Sequence, residues 1–134
     1  MSKRTITLTG RPPVSIDEDA WPVIAKSTDN DFDGQYDFQA NRTSDWNCRV
    51  RRHEDGRAIV YATYSFDCRF QGERNLEAKR GELLPAGTSD DDICAAIARV
   101  CADIADAEHH GEDASRWPTL AADCVADMPS HELA

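Results

Sequence analysis

The sequence predicts an α+β domain: an antiparallel sheet of three or four strands with two C-terminal helices packed on one face. Two observations predict it. The middle of the chain alternates apolar and polar residues over a long run, the period of a half-buried strand. The last third carries two apolar stripes at helical spacing. Strands followed by helices, rather than alternating with them, point to helices segregated on one side of an antiparallel sheet. The chain has 134 residues, enough for a single domain spanning 1–134 and too few for two good cores. Its strands are expected mainly within 4–70, with a loop at 27–43 and helices at about 89–108 and 115–128.

Thr5-Ile6-Thr7-Leu8-Thr9 alternates and reads as a first strand, ended by Gly10-Arg11-Pro12-Pro13. Asp17-Glu18-Asp19 reads as an acidic turn or a short helical start. Trp21 to Ala25 reads as a second strand, and residues 27–41, rich in Asp, Asn and Gln, as a loop.

Ala58, Val60, Ala62, Tyr64, Phe66, Cys68 and Phe70 occupy every second position, and Trp46, Cys48 and Val50 alternate before them. Between the two runs lies His53-Glu54-Asp55-Gly56-Arg57, a turn sequence. Parity chooses its length. A two-residue Asp55-Gly56 turn sets Val50 beside Tyr61 and Arg51 beside Val60, mixing apolar and charged residues on one face. A three-residue loop, Glu54 to Gly56 with Gly56 left-handed, pairs Val50 with Val60, Cys48 with Ala62 and Trp46 with Tyr64. One face is then wholly apolar. The other sets Arg49 beside Tyr61 and Arg51 beside Ile59, a half-polar surface.

Residues 71–88 read as a connection with one short element at most. Ser89-Asp90-Asp91-Asp92 resembles a capping box with Asp in place of Glu, and its acids suit a helix N-terminus. Ile93, Ile97, Val100, Cys101 and Ile104 then form one stripe. Trp117, Leu120, Ala121, Cys124, Val125 and Met128 form a second, with Pro118 in the first turn and Pro129 after the last.

The net charge is −10 and the isoelectric point about 4.7. That disfavours a whole-molecule binder of nucleic acid or anionic membrane. No apolar stretch is long enough to span a bilayer, and the N-terminus lacks a signal-peptide core, so a cytoplasmic location is expected. The five cysteines include no Cys-x-x-Cys pair and read as reduced thiols. The charge is uneven: residues 42–80 hold 9 basic and 6 acidic side chains, and residues 81–134 hold 2 basic and 12 acidic.

No nucleophile elbow, Walker loop or dinucleotide fingerprint occurs, so no catalytic residue is assigned and no cofactor is called for. Asp29, Asp31 and Asp33, followed by Gly34, match the first half of a calcium loop, but the twelfth position is Ala40 rather than Glu. His109 and His110 are adjacent and point in different directions, a poor zinc pair. Arg49, Arg51, Arg52 and Arg57 cluster on the hairpin and form a candidate nucleic-acid contact. Asp90, Asp91, Asp92, Asp103, Asp106, Glu108 and Glu112 form a candidate acidic face for a basic partner protein.

Three stretches carry a likeness: Thr7 to Val14 (TLTGRPPV) with Trp21 to Ala25 (WPVIA), His53 to Tyr61 (HEDGRAIVY), and Arg80 to Gly87 (RGELLPAG). They resemble a family of small, mostly uncharacterised proteins encoded on phages, plasmids and integrative elements of proteobacteria. The resemblance covers most of residues 5–128 and brings no catalytic motif. It implies an accessory protein that binds and disables a host protein, host defence complexes such as CRISPR effectors among them. The expected partner is then a basic, nucleic-acid-binding host protein; the alternative is a nucleic-acid-associated regulator using the hairpin arginines.

Overall fold

The computed structural model describes residues 2–8, 11–33, 42–68, 76–107 and 115–129. Six strands and two helices follow in order: β1 (Lys3–Ile6), β2 (Val14–Asp17), β3 (Val23–Asp33), β4 (Arg42–Arg52), β5 (Ala58–Cys68), β6 (Leu76–Leu84), α1 (Asp90–Ala107) and α2 (Trp117–Asp127). Strands β3 to β6 form a four-stranded antiparallel meander, and β1 and β2 a separate two-stranded sheet. The α+β architecture with two C-terminal helices is thus the one expected from the sequence.

The central hairpin has the register that parity demands: Val50 faces Val60, Cys48 faces Ala62 and Trp46 faces Tyr64. The His53 N–H donates to the Arg57 carbonyl at 2.8 Å, and the Gly56 N–H to the His53 carbonyl at 2.9 Å. Three residues, Glu54 to Gly56, therefore lie inside the closing pair, and Gly56 has φ of +95°, a conformation side chains resist.

The apolar face carries both helices. Helix α1 lies over β5 and β6, and α2 over β3 and β4. Trp46, Cys48, Val50, Val60, Ala62 and Tyr64 meet Ile93, Ile97, Val100, Cys101, Ile104, Trp117, Leu120 and Cys124 in one buried cluster. Burial at about 25 cal/mol per Å² makes these large side chains the main stabilising term. Helix α1 starts as expected: Ser89 Oγ accepts the Asp92 N–H at 3.1 Å. In the second stripe Val125 is 37% exposed, so it lies at the margin of the core. The Sγ atoms of Cys48 and Cys101 lie 3.7 Å apart within the core. Hydrogen bonding with Cys101 and Cys124, with burial, pushes the Cys48 thiol up, so it stays protonated.

Four expectations need correction. The first strand begins and ends earlier than the Thr5–Thr9 alternation, and Val14–Asp17 is a strand before a turn at residues 18–20. The loop placed at 27–43 is strand as far as Asp33, and strand again from Arg42. The connection placed at 71–88 contains the nine-residue β6, so strands reach well beyond residue 70. The second sheet face pairs Arg49 with Tyr61 and Arg51 with Ile59 as expected, but around Arg51 it is covered rather than open. There Ile6, Leu8 and Ile16 of the N-terminal segment bury Ile59 and Tyr61 in a small second core. Gly81 of β6 makes this cover possible. A Cβ there would lie 2.7 Å from the Val60 carbonyl oxygen and 2.9 Å from Leu8 Cδ2.

Candidate functional site

The acidic face is built by α1. Its buried side is apolar, so its charged residues turn outward. Asp91, Asp92, Asp103 and Asp106 are exposed there. Asp90 is not part of that free face. Its Oδ1 accepts Arg52 Nη1 at 2.7 Å, while Arg52 Nη2 donates to the Thr88 carbonyl at 2.7 Å. This fork ties the end of β4 to the start of α1.

The nearby cations are already engaged. Arg99 donates from Nε and Nη2 to both carboxylate oxygens of Glu82, at 3.0 and 2.9 Å. That bond holds the Arg99 guanidinium above its ordinary pKa. Arg80 lies 3.6 Å from Asp103. The negative field is felt at Cys94, whose thiol is pushed up by burial first and then by the Asp91 and Asp90 carboxylates. Glu108 and Glu112 lie outside the described residues, as do His109 and His110.

The hairpin arginines do not form one surface. Arg51 is 5% exposed; its Nε donates to Tyr61 Oη at 2.9 Å and its Nη1 to the Trp21 carbonyl at 3.1 Å. Arg52 faces the helices. Arg57 pairs with Asp55 at 2.8 Å and lies over the Trp21 ring at 5.1 Å. Alternation explains this: neighbours on a strand face opposite sides of the sheet. Arg49 is partly buried opposite Lys26 of β3, so the candidate nucleic-acid contact is divided between two more or less buried positions, an ion pair with α1 and the hairpin tip.

The calcium candidate falls on β3. Asp29 and Asp31 pair in register with Trp46 and Ser44, and Asp33 with Arg42. A ladder-bound strand advances about 6.6 Å every two residues and cannot wrap alternate acids around one ion. Asp29 instead takes Arg116 Nη1 at 3.0 Å, and the same Arg116 covers the Trp46 ring at 4.5 Å. Among the described residues, no group of three or more His, Cys, Asp or Glu is arranged to hold a metal ion.

Two concavities flank the start of β3. One, of about 480 Å³, is lined by Asp19, Pro22, Ile24, Arg52, His53 and Glu54 among others. The other, of about 260 Å³, is lined by Val23, Ile24, Ala25, Lys26, Arg49 and Asp127. The sequence reading missed the second because residues 27–41 read as a loop, so nothing placed Lys26 opposite Arg49. No apolar alternation marked the strand: its register shifts between Val23, which pairs with Arg51, and Ala25, which pairs with Val50.

Among the described residues, no helix is long and apolar enough to cross a membrane. No family model, curated protein or solved structure matches the chain.

Proposed function

We infer that the chain is a non-catalytic accessory protein of a mobile genetic element, acting by binding. It engages a basic, nucleic-acid-binding host protein through the outer face of α1, as an anti-defence inhibitor or a mimic of the partner's nucleic acid. One observation carries this reading. Asp91, Asp92 and Asp106 stand exposed on one helix, while Arg99 and Arg80 beside them are held by Glu82 and Asp103. An outward field of one sign draws a basic partner and speeds its encounter. The inward commitment of Arg51 and Arg52 favours this reading over nucleic-acid binding by the hairpin.

The test is a pull-down of tagged protein from host lysate, with and without nuclease, read by mass spectrometry. It is run beside a triple variant, Asp91→Asn, Asp92→Asn and Asp106→Lys. Asp90 is left in place because Arg52 depends on it. The expected result is a nucleic-acid-binding partner that survives nuclease and is lost in the variant, with Tm moved by no more than about 5 °C. A catch that disappears with nuclease overturns the reading, and so does one the variant retains.

A further inference from the structure

The smaller cavity is a frustrated pair of cations. Lys26 on β3 and Arg49 on β4 are direct cross-strand partners. Like charges in that relation repel, with Cβ atoms about 5 Å apart. A chain of net charge −10 has acids to spare for relieving such a pair, yet among the described residues Asp127 is the one carboxylate beside it, and no side-chain ion pair reaches Lys26 or Arg49. Arg49 is partly buried, and its Nε is shielded from solvent with no hydrogen-bond partner. Buried Arg51 and partly buried Arg52 and Arg80, on the same sheet, each donate a side-chain hydrogen bond. A buried unsatisfied donor on a charged group is costly, and here its residue is one of those lining a concave space.

The remaining lining defines what fits. Val23, 38% exposed, and the partly buried Ile24 supply an apolar wall. Asp127 is the one carboxylate in the lining, and its Oδ2 is taken by the Lys26 backbone N–H at 2.9 Å. Two cations and one engaged anion leave a single positive charge to neutralise. A volume of about 260 Å³ lies just below the usual range for drug-sized ligands. We propose that this cavity binds a short-chain aliphatic monocarboxylate. Its carboxylate meets the Arg49 guanidinium and the Lys26 ammonium, and its alkyl end rests on Val23 and Ile24. Guanidinium and carboxylate match in geometry and charge. This site is independent of the acidic face of α1.

The experiment is an amide NMR titration of the full chain with sodium isobutyrate and, separately, with isobutyramide, at fixed ionic strength. Isobutyrate is expected to give saturable shifts centred on Val23 to Lys26, Arg49 and Asp127, with Kd about millimolar. Isobutyramide, of the same shape without the charge, is expected to bind at least about tenfold more weakly. Arg49→Gln and Lys26→Gln should each weaken isobutyrate by about tenfold or more. Both should leave Tm unchanged or higher, because each relieves the like-charge pair; Lys26 is exposed, so its variant tests the site without altering a shielded group. No saturable shift up to about 20 mM, equal binding of the amide, or undiminished binding in both variants overturns the proposal.

Discussion

Arg51 and Arg57 are six positions apart on one hairpin and have opposite duties. Arg51 spends its guanidinium inside the second core, on Tyr61 Oη and the Trp21 carbonyl. Replacing it with Ala leaves both acceptors without their donor and opens space beside Ile59. Hydrogen bonds to charged groups contribute about 1.5–3 kcal/mol each, so the variant should lose about 2–4 kcal/mol in urea unfolding. Arg57 pairs with Asp55 in the open, where such pairs contribute less than about 1 kcal/mol, and Arg57→Ala should stay within that. Equal losses would mean that Arg51 is not the structural one. Gly81 makes a second residue-scale test. Because its Cβ would press on the backbone of Val60 as well as on Leu8, Gly81→Ala should cost about 1–3 kcal/mol. A neutral result would show that the N-terminal segment shifts freely over the sheet.

The central hairpin shows what an element owes to its turn. The Asp55 carboxylate accepts the Arg57 backbone N–H at 2.9 Å and the Arg57 side chain at 2.8 Å. The backbone bond first, then the side chain, holds the carboxylate below its usual range. A lowered folded pKa contributes stability above the unfolded value, near 3.9, and that contribution is lost as pH falls through the folded value. The protection factors of amides at residues 53–57 should therefore fall below about pH 4 in the wild type more than in Asp55→Asn. Identical pH profiles would rule the bond out as the cause. This hairpin was fully legible in the sequence, because parity admits one loop length that keeps charge off the apolar face. The flanking strands were not. On β3, Ser27 meets the helix by donating Oγ–H to the Leu120 carbonyl at 2.7 Å, and Asp29 meets it through Arg116. On β6, Arg80 and Glu82 face α1 through ion pairs with Asp103 and Arg99. Edge strands held by polar bridges carry no apolar alternation, so a reading based on period cannot see them. The acidic residues of α1 were legible as a group. That Asp90 belongs to the fold and Asp91 and Asp92 to the surface required the position of Arg52. The Lys26–Arg49 pair lay beyond reach because it exists only in the register of a strand the sequence concealed.

At the scale of the whole molecule, the charge follows the fold's own preference at one end of α1 and opposes it at the other. The C-terminal end of a helix carries partial negative charge and favours cations, while acids stabilise its N-terminus. Helix α1 has Asp90, Asp91 and Asp92 in its first turn, where they help, and no basic residue in its last turn, where Asp106 stands instead. Asp106 therefore adds to the repulsion of a chain already at net charge −10 and opposes the dipole at the same time. Replacing it with Lys reverses both effects at an exposed position. Asp106→Lys should raise stability by about 0.3–1 kcal/mol, or Tm by about 1–5 °C, and the gain should shrink as salt screens it. If the outer face of α1 is the binding surface, the same substitution should weaken capture of the basic partner. Stability and binding then move in opposite directions, which a merely solvated acidic surface does not require. A variant that gains stability and keeps its partner would confine Asp106 to solvation. One that loses both would show that the last turn of α1 depends on contacts made by the acid itself.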